Sequence, residues 1–320
     1  MRLRRAASGE SRLLVFCWHN IEGTWRFPFR SGLRSGLCQF ERQLRALRQA
    51  ATVVPLGRAL RALGEGHRLP GRAVALTFDD GYRDHLTSAI PLLSRLGLPA
   101  TMFLVPGILA GDVDPWSERL GWAVSRARSR RVRFEGRQLD LPDGPARLRA
   151  MRALAQQLAP RDRHQRSAAI TQLEELLAPE GSFHAHELYL DWDGARQLAA
   201  AGVDIGSHSM HHEPMSTKSV QEQRSDLSES RRVLQERLDV PVDLFAYPYG
   251  QRSDFNASTV AAAGAAGYRH AATTLSMWNR PTTPPYEIRR LVISPAYGVP
   301  GLLTVLARGL ASATRNAILR

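Results

Sequence analysis

The sequence predicts an α/β fold: a distorted (β/α) barrel of about seven parallel strands with a helical insertion. Two observations predict it. Short β-rich runs alternate with stretches of helical periodicity, the pattern of parallel strands joined by crossover helices. Polar residues able to do chemistry also fall just behind several of those runs, where a parallel barrel presents its C-terminal rim.

The expected strands are Leu13–Trp18, Val74–Phe78, Ala100–Val105, Val203–Gly206, Leu244–Tyr247, His270–Thr274 and Leu291–Ser294. Between them, helices are expected at Phe40–Ala50, His85–Gly97, Trp192–Ala201, Val220–Leu238 and Ala257–Ala266. Gly97, Gly202 and Gly267 stand where helix C-caps belong. From about residue 111 to 187 the rhythm breaks. That stretch is arginine-rich, carries a turn at Leu141–Gly144, and reads as a helical insertion in a barrel spanning 11–300. Residues 301–320 read as an amphipathic C-terminal helix that packs on the core.

Composition narrows the function classes. The chain has 320 residues, 43% of them hydrophobic and 23% charged, as in an ordinary globular protein. No run approaches the ~20 apolar residues of a membrane span, and the arginines of the first residues lead into no secretory apolar region. The expectation is a cytoplasmic or membrane-peripheral protein, with export left open. Cys17 and Cys38 form no C-x-x-C pair and read as packing residues. The net charge of +13 invites a nucleic-acid partner, but Lys218 is the only lysine. The densest basic cluster, Arg126, Arg128, Arg130, Arg131, Arg133 and Arg137, has no interleaved aromatics for base stacking. A solvated basic face is favoured and no nucleic-acid partner is expected; an acidic polysaccharide or a membrane surface stays open as a partner.

Three short segments carry the chemistry. In Thr77-Phe78-Asp79-Asp80-Gly81, two adjacent carboxylates follow a buried strand. Burying an unpaired charge is costly, so a cation or a hydrogen-bond network has to compensate; the plainer reading is an Asp-Gly turn with solvated carboxylates. In Ser207-His208-Ser209-Met210-His211-His212, His208 and His212 are four apart and on a helical turn would share a face, able to grip one divalent ion. His211 would lie on another face. In Phe245-Ala246-Tyr247-Pro248-Tyr249-Gly250, the fixed φ of Pro248 and the freedom of Gly250 can aim the Tyr249 N–H at a developing oxyanion. By itself that segment would be only a turn closing a strand.

Taken in this order, TFDDG, H-S-x-x-H and the Pro-Tyr-Gly turn resemble the polysaccharide deacetylases of the NodB-homology class, carbohydrate esterase family four. The chain is most similar to the poly-N-acetylglucosamine deacetylase branch, where a strand ending in aromatic-His opens the domain as Trp18-His19 does here. The resemblance runs from roughly Leu13 to Val292 and implies an N-acetylated glycan substrate. It implies that Asp80, His208 and His212 bind a divalent metal, zinc by expectation, with Asp79 as the base for the attacking water and the Tyr249 amide on the oxyanion. Pro248, Gly250 and Trp192 are the expected substrate contacts, and Asp84, Trp116 and Trp278 are weaker rim candidates.

Two departures from the family pattern stand out. The late strand Leu291-Val292-Ile293-Ser294-Pro295 lacks the family's acid histidine, so His19 becomes the candidate acid. Ala246 stands where an arginine usually orients the base, and Arg290 is the candidate replacement. Rival readings are a deacetylase of a small or lipid-linked glycoconjugate, a catalytically weak glycan-binding module, and a nucleic-acid binder using the 126–137 cluster.

Overall fold

A computed structural model describes residues 11–21, 36–293 and 297–308. Its strands are β1 (Leu13–Trp18), β2 (Thr52–Val53), β3 (Ala73–Phe78), β4 (Thr101–Leu104), β5 (Arg131–Phe134), β6 (Arg137–Asp140), β7 (Asp204–Ser207), β8 (Leu244–Ala246), β9 (His270–Ala272) and β10 (Leu291–Val292). The main sheet runs β10-β1-β3-β4-β7-β8-β9, with β2 beside β3, and every strand pairing in it is parallel. A bridge from Ala272 to Ile288 carries the curl from β9 toward the chain entering β10. This is the distorted barrel expected from the alternating pattern.

The period-2 geometry of the strands sorts their residues into two cores. Leu14, Phe16 and Trp18 of β1 and Val74, Leu76 and Phe78 of β3 face outward into the layer between sheet and helices. Leu13, Val15, Ala73 and Ala75 face the lumen, with Phe103, Leu244 and Ala272. Continuing the lumen-facing set upward gives Cys17 and Thr77, which are register partners, and then Asp79. The strand pleat that buries the core thus also delivers the first polar groups of the rim.

The helices are α1 (Leu37–Ala50), α2 (Leu56–Gly64), α3 (Ile90–Leu96), α4 (Pro106–Leu109), α5 (Trp116–Ser125), α6 (Pro145–Leu158), α7 (Arg163–Leu177), α8 (Trp192–Ala200), α9 (Val220–Leu238), α10 (Ala257–Ala265) and α11 (Val299–Arg308). The sequence reading missed β2 and α2. Two strand residues are too few to show a period, yet Leu56, Ala59, Leu60 and Leu63 of α2 join the lumen core and close its lower end. α9 coincides with its expected span and starts with a capping box between Ser219 and Glu222.

The insertion is not helical throughout. Glu135 and Gly136 both take positive φ, 47° and 76°, and make the two-residue turn of a β5–β6 hairpin. The strand expected to reach Ser294 ends at Val292, and Ser294 lies outside the described residues. The C-terminal helix starts at Val299, and residues 309–320 also lie outside. Among the described residues no helix is long and apolar enough to cross a membrane.

Candidate active site

Asp79 continues the ladder of β3, its N–H donating to Trp18 O at 3.0 Å. Its carboxylate is buried and gripped by Arg290, with Nη1 at 2.7 Å from Oδ1 and Nη2 at 2.8 Å from Oδ2. The Cys17 thiol, 3.3 Å away, donates to Oδ2. Arg290 is itself fully buried, donates from Nε to Thr273 O at 3.0 Å and lies over the Phe103 ring. Burial pushes the Asp79 carboxyl up, but Arg290, helped by His208 and His19, overrides it and holds the group at about 2. Asp79 is therefore an anion throughout the physiological range.

Asp80 occupies a left-handed backbone position, φ 75°, and both its carboxylate and that of Asp79 approach His208 Nε2. Its Oδ1 lies 3.1 Å from His212 Nε2 and 3.5 Å from His208 Nε2. Ligands about 2.0–2.2 Å from one tetrahedral ion are about 3.3 Å from each other, so these separations suit a shared divalent cation. His208 Nδ1 is 2.7 Å from Ala246 O, a contact that requires the ring proton on Nδ1 and leaves the Nε2 lone pair facing Asp80. Burial holds the His208 imidazole down to about 4, so the ring is neutral and ready to ligate. The donor atoms of Asp80, His208 and His212 all lie within 4.8 Å of one another.

The local geometry corrects one expectation. His208 and His212 do not sit on a helical turn: the chain after β7 is a tight loop in which Ser209 and His212 take φ of 65° and 55°. The loop is held by Ser209 Oγ, which accepts from His212 N at 3.0 Å, and by Asp226, which accepts from Met210 N and from Lys218 Nζ, each at 2.7 Å. The lone lysine is thus a prop beneath the histidine loop. His211 points elsewhere, its Nδ1 buried with no hydrogen-bond partner among the described residues, and burial keeps its imidazole below the usual range.

Pro248 is buried and Tyr249 exposed, with its ring 5.2 Å from that of His212. Tyr249 and Gly250 both take positive φ, 60° and 73°. A Cβ on Gly250 would meet Thr274 N at 2.8 Å, so the position admits only glycine without a shift of backbone. Thr274 secures the turn by donating from Oγ1 to Tyr249 O at 2.7 Å and from N to Gly250 O at 3.0 Å.

His19 is half-buried and lies beside Cys17 and Asp79, the three offering donor atoms within 4.8 Å of one another. Its segment is fastened from below: Asp84 Oδ2 accepts from Ile21 N at 2.6 Å, and His85 Nε2 lies 3.1 Å from His19 O. Asp84 therefore shapes the His19 loop. A widened, five-residue π-turn, His85–Ala89, leads from this point into α3.

The tryptophans separate. Trp116 lines the cleft with Asp80, His212 and Tyr249. Trp192 begins α8, packs on the outer core under Arg237 and does not line that cleft. Trp278 lies under Arg12, next to the residue that pairs with Leu13 at the opposite end of β1. In the basic cluster, Arg130 and Arg131 pair with Asp143 and Asp140 across the insertion's hairpin. The sequence reading missed Cys17 as a neighbour of Asp79, although strand alternation from Leu13 pointed to it. It also missed Tyr189, Arg163 and Arg166 in the cleft wall, for which no local signal existed.

The fold and this rim define a deacetylase-type hydrolase built around a buried carboxylate and a group of residues able to hold a cation. The sequence profile described as polysaccharide deacetylase matches residues 66–271, and the chain belongs to that family. It is 19% identical over 287 residues to the Bacillus subtilis (strain 168) protein YxkH, whose name carries the same family, covering 89% of this chain and 72% of that protein. Among solved structures it is similar to the Streptococcus pyogenes deacetylase PplD in complex with acetate, with a TM-score of 0.64, 16% identity, and 93% and 99% of the two chains covered. IcaB from Ammonifex degensii gives a TM-score of 0.59 at 20% identity over 95% and 98% of the two chains. At these identities the structures speak for the fold.

Proposed function

We propose that the protein removes N-acetyl groups from the amino sugars of a glycan, using a divalent cation held by Asp80, His208 and His212. The observation that carries this reading is the pairing of that donor group with an ionised, arginine-clamped Asp79 a few ångströms away. Two imidazoles and one carboxylate favour zinc. When bound, such an ion supplies Lewis acidity toward the acetyl carbonyl and the attacking water.

The chain's own residues supply the rest. Asp79 accepts the proton of the attacking water and, held on both oxygens by Arg290, cannot rotate away. The Tyr249 N–H, in the turn set by Pro248 and Gly250, donates to the oxyanion. The departing amine needs a proton, and His19, beside Asp79 on the same rim, provides it. The opening Trp18-His19 strand end, which resembles that of the poly-N-acetylglucosamine deacetylase branch, supports an N-acetylated amino-sugar glycan as the substrate.

The purified protein is expected to hold zinc and to release acetate from a chito-oligosaccharide, with both properties lost in Asp80→Ala. Asp79→Asn should keep the metal while turnover falls by roughly 10²–10⁴. Persistent acetate release in Asp80→Ala would refute the assignment. Glycan binding by the zinc-loaded wild type with no acetate release would instead make the protein a binding module.

A further inference from the structure

The insertion builds a wall beside the metal-ligand group that the deacetylation steps do not use. The first turns of α5 and α7 bring Trp116, Arg163 and Arg166 into the cleft that holds Asp80, His212 and Tyr249. That cleft continues into an adjoining cavity of about 610 Å³, and Arg163, Arg166, His211 and Glu213 line both.

Most charged groups on this wall already have partners within the protein. Asp114 accepts from Arg119 at 2.8 Å and Ser167 at 3.0 Å; Glu118 accepts from Tyr82 at 2.8 Å and Ser117 at 2.6 Å; Glu213 accepts from Arg166 at 3.3 Å. Further along, Asp226 is taken by Lys218, Glu229 by Arg232 and Asp162 by the N–H of Gln165. Glu222 accepts from Ser219, so each of these carboxylates has its own donors, and Asp114, Glu213, Asp226 and Glu229 are paired with a cationic side chain. Arg166 is 6% exposed, lies over the Trp116 ring at 4.9 Å, and has a buried Nε without a hydrogen-bond partner among the described residues. Arg163 is half-buried at the mouth between the two spaces, with no carboxylate in ion-pair range among the described residues. A partly dehydrated guanidinium facing a cleft is best satisfied by an anion that accepts charge-assisted hydrogen bonds.

We infer that this wall is a subsite for an acidic group, a carboxylate or phosphate carried by the glycan beside its N-acetylated sugar, with Arg163 binding the anion and the Trp116–Arg166 stack supporting the neighbouring ring. The inference deepens the deacetylase reading, because it names the substrate as an acidic glycan. It depends on that reading only for what happens at the acetyl group.

The test measures affinities of the zinc-loaded full chain by calorimetry for a neutral chitotetraose, a hyaluronan tetrasaccharide bearing carboxylates, and UDP-N-acetylglucosamine bearing phosphates. Acetate release is followed in parallel. One of the acidic ligands should bind about tenfold tighter than the neutral one, the worth of one charge-assisted contact. Arg163→Gln should erase that preference while leaving the neutral ligand unchanged, and Arg163→Lys should restore part of it. The acidic ligand that shows the preference identifies the anion. Equal or tighter binding of the neutral ligand, or an equal loss on all three in Arg163→Gln, overturns the subsite. A preserved acidic preference with no acetate released from any ligand refutes the deacetylase reading and leaves the subsite standing.

Discussion

Asp79 shows how much a single contact decides. A carboxyl buried on a lumen-facing rim would, on burial alone, be pushed toward neutrality and lose its use as a base. The Arg290 fork reverses that outcome, and a fully buried arginine is tolerable only because Asp79, Thr273 O and the Phe103 face receive it. Removing the guanidinium should therefore act twice. Arg290→Met is expected to cost about 3–5 kcal/mol of stability by stranding a buried anion, read as a drop in urea midpoint. It should also move the acidic limb of kcat/KM to higher pH, since the main opposition to burial is then gone and Asp79 is protonated sooner as pH falls. Arg290→Lys, which keeps the charge but loses the fork, should recover part of the stability and less of the rate. An acidic limb unmoved in Arg290→Met would show that the arginine serves packing alone.

At the scale of elements, α4 adds a short contact to the histidine loop. Gly107 N donates to Met210 O at 3.1 Å, and a Cβ on Gly107 would come within 2.6 Å of both that oxygen and Val113 Cγ2. Real Cβ atoms do not approach so closely, so Gly107→Ala must push the loop outward. A stability cost of about 1–3 kcal/mol is expected from the overpacking, with a weakening of zinc affinity measured against a competing chelator. Unchanged affinity would mean that His208 and His212 are held by β7 and Asp226 without help from α4. The turn of Pro248 to Gly250 follows the same logic, its shape fixed by Thr274 on the strand-end beyond it.

Across the whole molecule, the barrel and the insertion have separate apolar cores. Leu120, Trp122, Phe134, Leu154, Ile170 and Leu173 form a cluster that shares no buried residue with the outer or lumen cores of the barrel. The insertion meets the histidine loop through Arg166 and Glu213, the residue after His212. Ile170→Ala should remove about 2–5 kcal/mol from the insertion and expose its amides first. In hydrogen exchange, α6 and α7 should lose protection while β1 and β3 keep theirs; equal loss in the strands would show one cooperative unit.

Several features were legible because they are local. Six-residue apolar runs such as Leu13–Trp18 announce buried strands, Ser219 and Glu222 announce the start of α9, and the adjacent Asp79 and Asp80 declare a charge problem that needs a solution. These follow from strand pleat, capping and the cost of burying charge, which act over a few residues and leave their mark in the order of amino acids. What only the tertiary structure decided involves partners distant in the chain or backbone angles without a residue-type signature. Arg290 was already the candidate partner of Asp79 in the sequence, but its full burial and its grip on both carboxylate oxygens across 211 positions came only with the fold. Ser209 and His212 make a left-handed loop where spacing suggested a helix, and Trp192 packs on the core while Trp116 lines the cleft. A residue's type limits what it can do, but its neighbours in space determine its charge, exposure and direction, and chain closure over long loops sets which neighbours it has.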